Sequence, residues 1–136
     1  MKSFFLLPLI FVCLQVAAQS ETSITVSINN VPGDEGQVIL SLHDESTFMK
    51  TDALQTKTSL IKDGKVTVTF ENVAPGIYGI IGLHDKNKNG NIDMSSKGFP
   101  VEDYGISNNP LSMGPPQWSE AKFQVSDEPL DLEIRF

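Results

Sequence analysis

The sequence has little cysteine, few basic residues and no long helical periodicity. Its 136 residues contain one cysteine, Cys13, and its ten lysines and arginines stand against 17 acidic residues. Without a second cysteine no intramolecular disulfide can form, so the fold must rest on its core, or on a core plus a metal. An acidic chain of net charge −7 without a basic stripe argues against a nucleic-acid partner and against anionic membrane surfaces.

The first residues have the layout of a secretory signal peptide. Lys2 precedes an apolar run over 4–16, and a valine and an alanine occupy positions −3 and −1 of a cleavage site before Gln19. The run is shorter than the roughly 20 apolar residues of a membrane-spanning helix, and an anchor or a buried strand is the alternative. We predict a signal peptide over 1–18, one mature domain over 19–136 without a membrane span, and a secreted or periplasmic location.

Alternation of apolar and polar residues with a period of two recurs along the mature chain. The strand-like segments are SITVSIN, QVILSLH, the run before Asp63-Gly64, KVTVTF, IYGIIGLH, AKFQV and LDLEIRF. Among them IYGIIGLH is apolar on both faces, which predicts a central strand whose Gly79 and Gly82 allow the close approach of a neighbour. Polar residues on the second face indicate half-buried antiparallel strands, and Asp63-Gly64 is typical of a tight hairpin turn. The sequence therefore predicts an all-β, seven-stranded antiparallel sandwich, with a closed barrel as the alternative architecture.

Residues 85–120 lack this alternation and are rich in glycine and proline. A loop of such length inside a compact domain is uncommon and often functional. Its large apolar side chains are Phe99, Tyr104, Leu111, Met113 and Trp118. We expect them to pack down and cap one open end of the sandwich, in preference to forming a ligand platform.

The segment DKNKNGNID, residues 85–93, has the ligand spacing of a calcium-binding loop. Such loops take oxygen ligands from alternate positions and place a glycine sixth, where the chain turns sharply. The residues at the ligand positions are Asp85, Asn87, Asn89, Asn91 and Asp93, with Gly90 sixth. These five residues are the predicted metal ligands, and calcium is the predicted ion.

The twelfth position of this loop is Ser96, where a calcium loop usually has a bidentate glutamate. We therefore expect weak binding unless Glu102 or Asp103 supplies the missing carboxylate. The alternative is a self-bonded loop without metal, because Asn, Asp and Gly are also the residues that turns favour.

The segments ILSLHD and IIGLHD both end a strand with His-Asp. If these strand ends were matched, His43 and His84 would converge with Asp44 and Asp85, and two imidazoles with carboxylates could bind zinc or another transition metal. The commoner role of a histidine at a strand end is that of a partly exposed polar residue.

Sequence signatures of catalysis are absent: there is no G-x-S-x-G and no H-E-x-x-H. The sequence favours a non-enzymatic binding or accessory module for an envelope protein or an extracellular glycan. The alternative is a small secreted hydrolase with its site in the 94–120 loop.

Two long motifs resemble the bacterial domain-of-unknown-function family 2141. The first is H-D-x-N-x-N-G-x-x-D from His84 to Asp93, and the second is G-x-P-x-E-x-x-G-x-S-N-N from Gly98 to Asn109. The resemblance implies a secreted protein and supplies no catalytic residues. In addition, F-x-N-V-x-P-G-x-Y over 70–78 is similar to a strand-turn-strand of transthyretin-like and carboxypeptidase regulatory domains, which implies an Ig-like or transthyretin-like sandwich by fold analogy.

Overall fold

A computed structural model describes residues 20–136, and they form an all-β domain. The predicted signal peptide lies outside the described residues. The elements are β1 (Thr22–Ile28), β2 (Gln37–His43), β3 (Gln55–Leu60), β4 (Val66–Val73), β5 (Gly76–Asp85), β6 (Tyr104–Ile106), α1 (Trp118–Ala121), β7 (Phe123–Val125) and β8 (Leu130–Glu133). Among these residues, no helix is long and apolar enough to cross a bilayer.

The strands form two sheets packed as a sandwich, which confirms the predicted fold class. One sheet has the order β4-β1-β8, and the other has the order β3-β2-β5-β6 with β7 also paired to β5. The described residues thus form eight strands where seven were predicted. The pairing of β1 with β8 is parallel, whereas the other strand pairs are antiparallel.

The additional strand, β6, lies inside the segment that was predicted to be a loop. Its three residues pair with Ile81, Gly82 and Leu83 of β5. The sequence Tyr104-Gly105-Ile106 and its neighbours do not alternate between apolar and polar residues, so only the pairing with β5 reveals this strand.

The core lies between the sheets and is built from the alternating apolar residues that indicated the strands. Ile24, Val26 and Ile28 of β1 are fully buried, and Val38 and Leu40 of β2 belong to the same cluster. The predicted Asp63-Gly64 turn is confirmed, with φ of 53° and 69° at the two residues. It joins β3 to β4 and thereby carries the chain from one sheet to the other.

Strand β5 is buried on both faces over most of its length. The predicted close approach at its glycines is confirmed: a Cβ on Gly79 would lie 3.1 Å from the Trp118 ring and 3.2 Å from the Phe48 ring. Trp118 and Phe48 also contact each other, with ring centroids 5.6 Å apart. This central strand runs directly into the predicted metal loop.

The expectation that the apolar residues of the long loop cap the sandwich is wrong for most of them. Trp118 packs against a second cluster of buried apolar residues, formed by Phe48, Ile106 and Ala121. However, the side chain of Phe99 is 68% exposed, and those of Leu111 and Met113 are 98% exposed.

Candidate metal-binding loop

Asp85 is the last residue of β5 and the first residue of the candidate loop. Its side chain is fully buried. One carboxylate oxygen accepts hydrogen bonds from Gln37 Nε2 and the Gly90 backbone N–H, both at 2.9 Å, and the other accepts one from the Asn89 N–H at 3.1 Å. Because Gln37 pairs with Asp85 across β2 and β5, the sheet register itself supplies one of these donors.

Asp85 is anionic at neutral pH despite its burial. Burial by itself acts to raise the pKa of the Asp85 carboxyl, but the hydrogen bonds from the Gln37 side chain and from the backbone N–H groups of the loop outweigh it and lower the pKa below its ordinary value. A fixed negative charge therefore lies at the start of the loop.

Asp93 closes the loop from the other side, and two predicted ligands surround its carboxylate. Asn87 Nδ2 donates to one Asp93 oxygen at 2.6 Å, and Asn89 Nδ2 donates to the other at 2.7 Å. The side-chain oxygen of Asn87 accepts from the Asn89 N–H at 3.2 Å, and that of Asn89 accepts from the Asn91 N–H at 2.9 Å. The structure thus brings together the side chains of Asn87, Asn89 and Asp93 in a self-bonded loop, whereas the Asp85 carboxylate binds Gln37 and the loop backbone.

Glu102 holds the two ends of this loop together. Its side chain is only 6% exposed, and its two oxygens accept the Lys86 N–H at 2.9 Å and the Asp93 N–H at 3.1 Å. Asp103 instead forms an ion pair with Lys86 at 3.2 Å. Of the two residues expected to complete the calcium site, Glu102 reaches the base of the loop and binds its backbone.

The oxygen-rich composition of the loop fits calcium, which prefers hard oxygen ligands. A half-turn of the Asn87 and Asn89 amides about their last side-chain bond exchanges nitrogen for oxygen, and would present oxygens where N–H groups now bind Asp93. Among residues 20–136, however, no three His, Cys, Asp or Glu side chains are grouped so as to hold a metal. Most of the predicted ligands are neutral amides and few are carboxylates, so we expect the loop to bind calcium weakly.

The hypothesis of a two-histidine site is wrong. In the antiparallel pairing of β2 with β5, His43 lies opposite Gly79 and His84 lies opposite Val38. Five residues along a strand separate these positions, or about 17 Å. His84 is fully buried and its Nε2 lies 2.7 Å from the Glu35 carbonyl oxygen, whereas burial lowers the pKa of His43 at the other end.

The 94–120 segment, where a hydrolase site was the alternative, lines an open groove of about 440 Å³. Tyr104, Leu111, Glu120 and Arg135 are among its lining residues. Ser112 Oγ donates to a Glu120 carboxylate oxygen at 2.7 Å. Neither histidine of the chain lines the groove, so Ser112 has no imidazole base beside it.

The second motif has a structural role that the sequence did not reveal. Ser107 Oγ accepts the Ile80 N–H and donates to the Ala121 carbonyl. Asn108 donates to the carbonyls of Glu120 and Lys122, and Asn109 bonds the backbone of Glu133 and Arg135. These three polar residues join β5, α1 and the C-terminal residues. Asn108 and Asn109 have positive φ angles, which asparagine tolerates better than most residues. The Asn-Asn pair was therefore a sequence signal for a turn at this position.

Comparison with known proteins gives one family. The model of a family described as "Uncharacterized protein conserved in bacteria (DUF2141)" matches residues 26–133, from within β1 to the end of β8. No curated protein and no solved structure gives a significant match.

Proposed function

The chain belongs to this uncharacterised bacterial family, DUF2141, and we propose that it is a secreted or periplasmic binding module, without catalytic activity, whose loop 85–93 binds calcium. The expected partner is an envelope protein or an extracellular glycan. The calcium proposal rests on one observation: the side chains of Asn87 and Asn89 both lie within hydrogen-bond distance of the Asp93 carboxylate.

The geometry supports the proposal because buried carboxylates fix the backbone of the loop through hydrogen bonds. Asp85 and Glu102 accept four hydrogen bonds from backbone N–H groups of the loop, and the Gln37 side chain donates one more to Asp85. A site whose backbone is already placed loses less conformational entropy when an ion binds. Calcium would add positive charge between Asp85 and Asp93, which carry the negative charge of the predicted ligand set.

Weak affinity follows from the same composition. Three of the five predicted ligands are neutral amides, and Lys86, Lys88 and Lys97 add positive charge to the surrounding segment. Extracellular calcium modules have dissociation constants of about 0.1–1 mM. At a dissociation constant of about 1 mM, 10 mM calcium stabilises the fold by about 1.4 kcal/mol, or roughly 3–6 °C in melting temperature.

The test is thermal unfolding in about 10 mM calcium at fixed ionic strength. We expect the wild-type melting temperature to rise, and magnesium to raise it less because magnesium demands a tighter octahedral site. Asp93→Asn should abolish the calcium-specific rise while keeping the shape of the side chain. Asp93 is the better target than Asp85, whose buried carboxylate also holds the backbone.

Asp103→Asn is the matched control, because it removes the same charge from a carboxylate bonded to Lys86 outside the predicted ligand set. It should keep the calcium response. Equal responses of wild type and Asp93→Asn would show that the loop is purely structural and that the calcium proposal is wrong.

A further inference from the structure

The candidate loop contains the one Asn-Gly pair of the sequence, Asn89 followed by Gly90. Both residues are exposed, and a Cβ built on Gly90 would meet no atom of residues 20–136 within 4 Å beyond its chain neighbours. An asparagine side chain can be attacked by the backbone nitrogen of the next residue, and glycine hinders this attack least because it has no side chain. The pair is therefore accessible both to this reaction and to water.

The hydrogen bonds of the loop favour the attack at each reacting atom. The Gly90 N–H donates to an Asp85 carboxylate oxygen at 2.9 Å, which is within the reach of a general base. The side-chain oxygen of Asn89 accepts the Asn91 N–H at 2.9 Å, and such a donor stabilises the negative charge that develops on an attacked carbonyl oxygen. The side-chain nitrogen of Asn89, which has to leave, donates to Asp93 Oδ1 at 2.7 Å.

We propose that Asn89 deamidates in the folded protein, and that the aspartate so formed makes loop 85–93 depend on a bound cation. The Gly90 nitrogen bonds to the side-chain carbon Cγ of Asn89, and the bond from Cγ to Nδ2 breaks. Nδ2 leaves as ammonia with the proton that the Gly90 nitrogen gives up. Water then opens the cyclic imide: opening at Cγ gives aspartate, whereas opening at the main-chain carbonyl gives isoaspartate. The net reaction consumes water and replaces a neutral amide by a carboxylate.

The new carboxylate faces the carboxylate of Asp93. The Asn89 nitrogen that donates to Asp93 Oδ1 at 2.7 Å is replaced by an anionic oxygen, so a hydrogen bond becomes a repulsion between like charges. Asp85 and Asp93 carry the negative charges of the predicted ligand set, and the aspartate adds another. The number of charged ligands tunes the affinity of a loop for calcium, so this step rests on the proposed calcium binding and adds a regulation to it.

The first test measures the modification itself. The mature protein is incubated for days at mildly alkaline pH in chelator, digested with pepsin at acid pH, and mapped by tandem mass spectrometry. We expect the gain in mass that turns an amide into an acid at Asn89. Asn91 is the internal control in the same loop, because the β-branched Ile92 that follows it hinders the attack. An unmodified Asn89, or equal modification of Asn91, would overturn the proposal.

The second test uses Asn89→Asp, which supplies the aspartyl product directly. In chelator its melting temperature should be lower than that of wild type, because two carboxylates then face each other without a cation between them. In calcium its melting temperature should rise by more than that of wild type. The dissociation constant for calcium, measured by titration calorimetry, should fall about tenfold, since one more carboxylate joins the ligand set.

Asn91→Asp is the matched control for this variant. It adds the same charge to the same loop, but the Asn91 side chain donates to the Asn89 main-chain carbonyl and not to Asp93. It should lose less stability in chelator and gain less in calcium, and equal effects in the two variants would overturn the proposal. A calcium response in Asn89→Asp but not in wild type would refute calcium binding by the unmodified loop and leave this inference standing.

Discussion

At the scale of single residues, two buried carboxylates determine the shape of the candidate loop. Asp85 takes its donors from Gln37 and from the loop backbone, and Glu102 takes both of its donors from the backbone. Backbone N–H groups turned inward need acceptors when no water reaches them. These carboxylates fill that need, and the side chains of Asn87, Asn89 and Asp93 are left to face one another.

Glu102→Gln tests this bracing role. The substitution replaces one acceptor oxygen by an amide NH₂, which faces a backbone N–H and leaves that buried donor unsatisfied. We expect the free energy of unfolding to fall by about 1–3 kcal/mol, measured by urea denaturation. Glu128→Gln, at an exposed position, is the control and should change stability little. If Glu102→Gln lowered the free energy of unfolding no more than Glu128→Gln does, the bracing role would be contradicted.

At the scale of elements, β5 and β6 connect the sandwich to the long loop. β6 is short, yet its middle residue lies against the backbone of the C-terminal residues: a Cβ on Gly105 would collide with the Arg135 carbonyl oxygen and approach Ile134. Asn109 bonds the same stretch through the Glu133 carbonyl and the Arg135 N–H. The motif residues around β6 thus close the sandwich on the side of β8.

Gly105→Ala tests this close approach. The new methyl group forces the β6 backbone away from Arg135, and overpacking of this kind costs about 1–3 kcal/mol or more. Gly76→Ala is the control because it lies in β5, also without a positive φ, and its Cβ would meet only the Tyr78 ring at 3.4 Å. Thermal unfolding should show a clearly lower melting temperature for Gly105→Ala and little change for Gly76→Ala. Equal melting temperatures for the two would refute the close packing.

At the scale of the whole molecule, an acidic sandwich carries its candidate functions in the segment between β5 and β6. The core holds the two sheets together, and the described residues form one domain that contains the candidate ion loop. Because the chain has a single cysteine, no intramolecular disulfide adds to the stability that this core supplies. Ion binding in loop 85–93 would therefore act on a fold that the core already holds together.

At the scale of the whole molecule, we predict that the protein is exported and loses its signal peptide. Expressed from its full sequence in a bacterial host, the protein should be processed before Gln19, because the apolar run and the small residues at −3 and −1 suit a signal peptidase. Mass spectrometry of the periplasmic or secreted fraction gives the mature terminus. Replacing Ala18 by a bulky residue should block processing. Exported protein that retains residues 1–18 would show the signal peptide prediction to be wrong.

The sequence by itself determined the long strands and the turns that separate them. Alternation along β1, β2 and β4 and the Asp63-Gly64 turn are local signals, because each depends on residues close together in the chain. The side chains of Asn87, Asn89 and Asp93 also lie within hydrogen-bond distance of one another because they belong to one continuous loop. The family membership rested on motifs that the sequence displays directly.

Only the tertiary structure decided which distant groups meet. The two strand-end histidines are separated by the antiparallel register of β2 and β5, which no local pattern specifies. The parallel partner of β1, the pairing that makes 104–106 a strand, and the bonds from Glu102 to both ends of the loop depend on contacts between residues far apart in the chain or on different elements. Phe99 is an apolar residue of the kind found in cores, yet its side chain is 68% exposed, and no local pattern specifies that exposure.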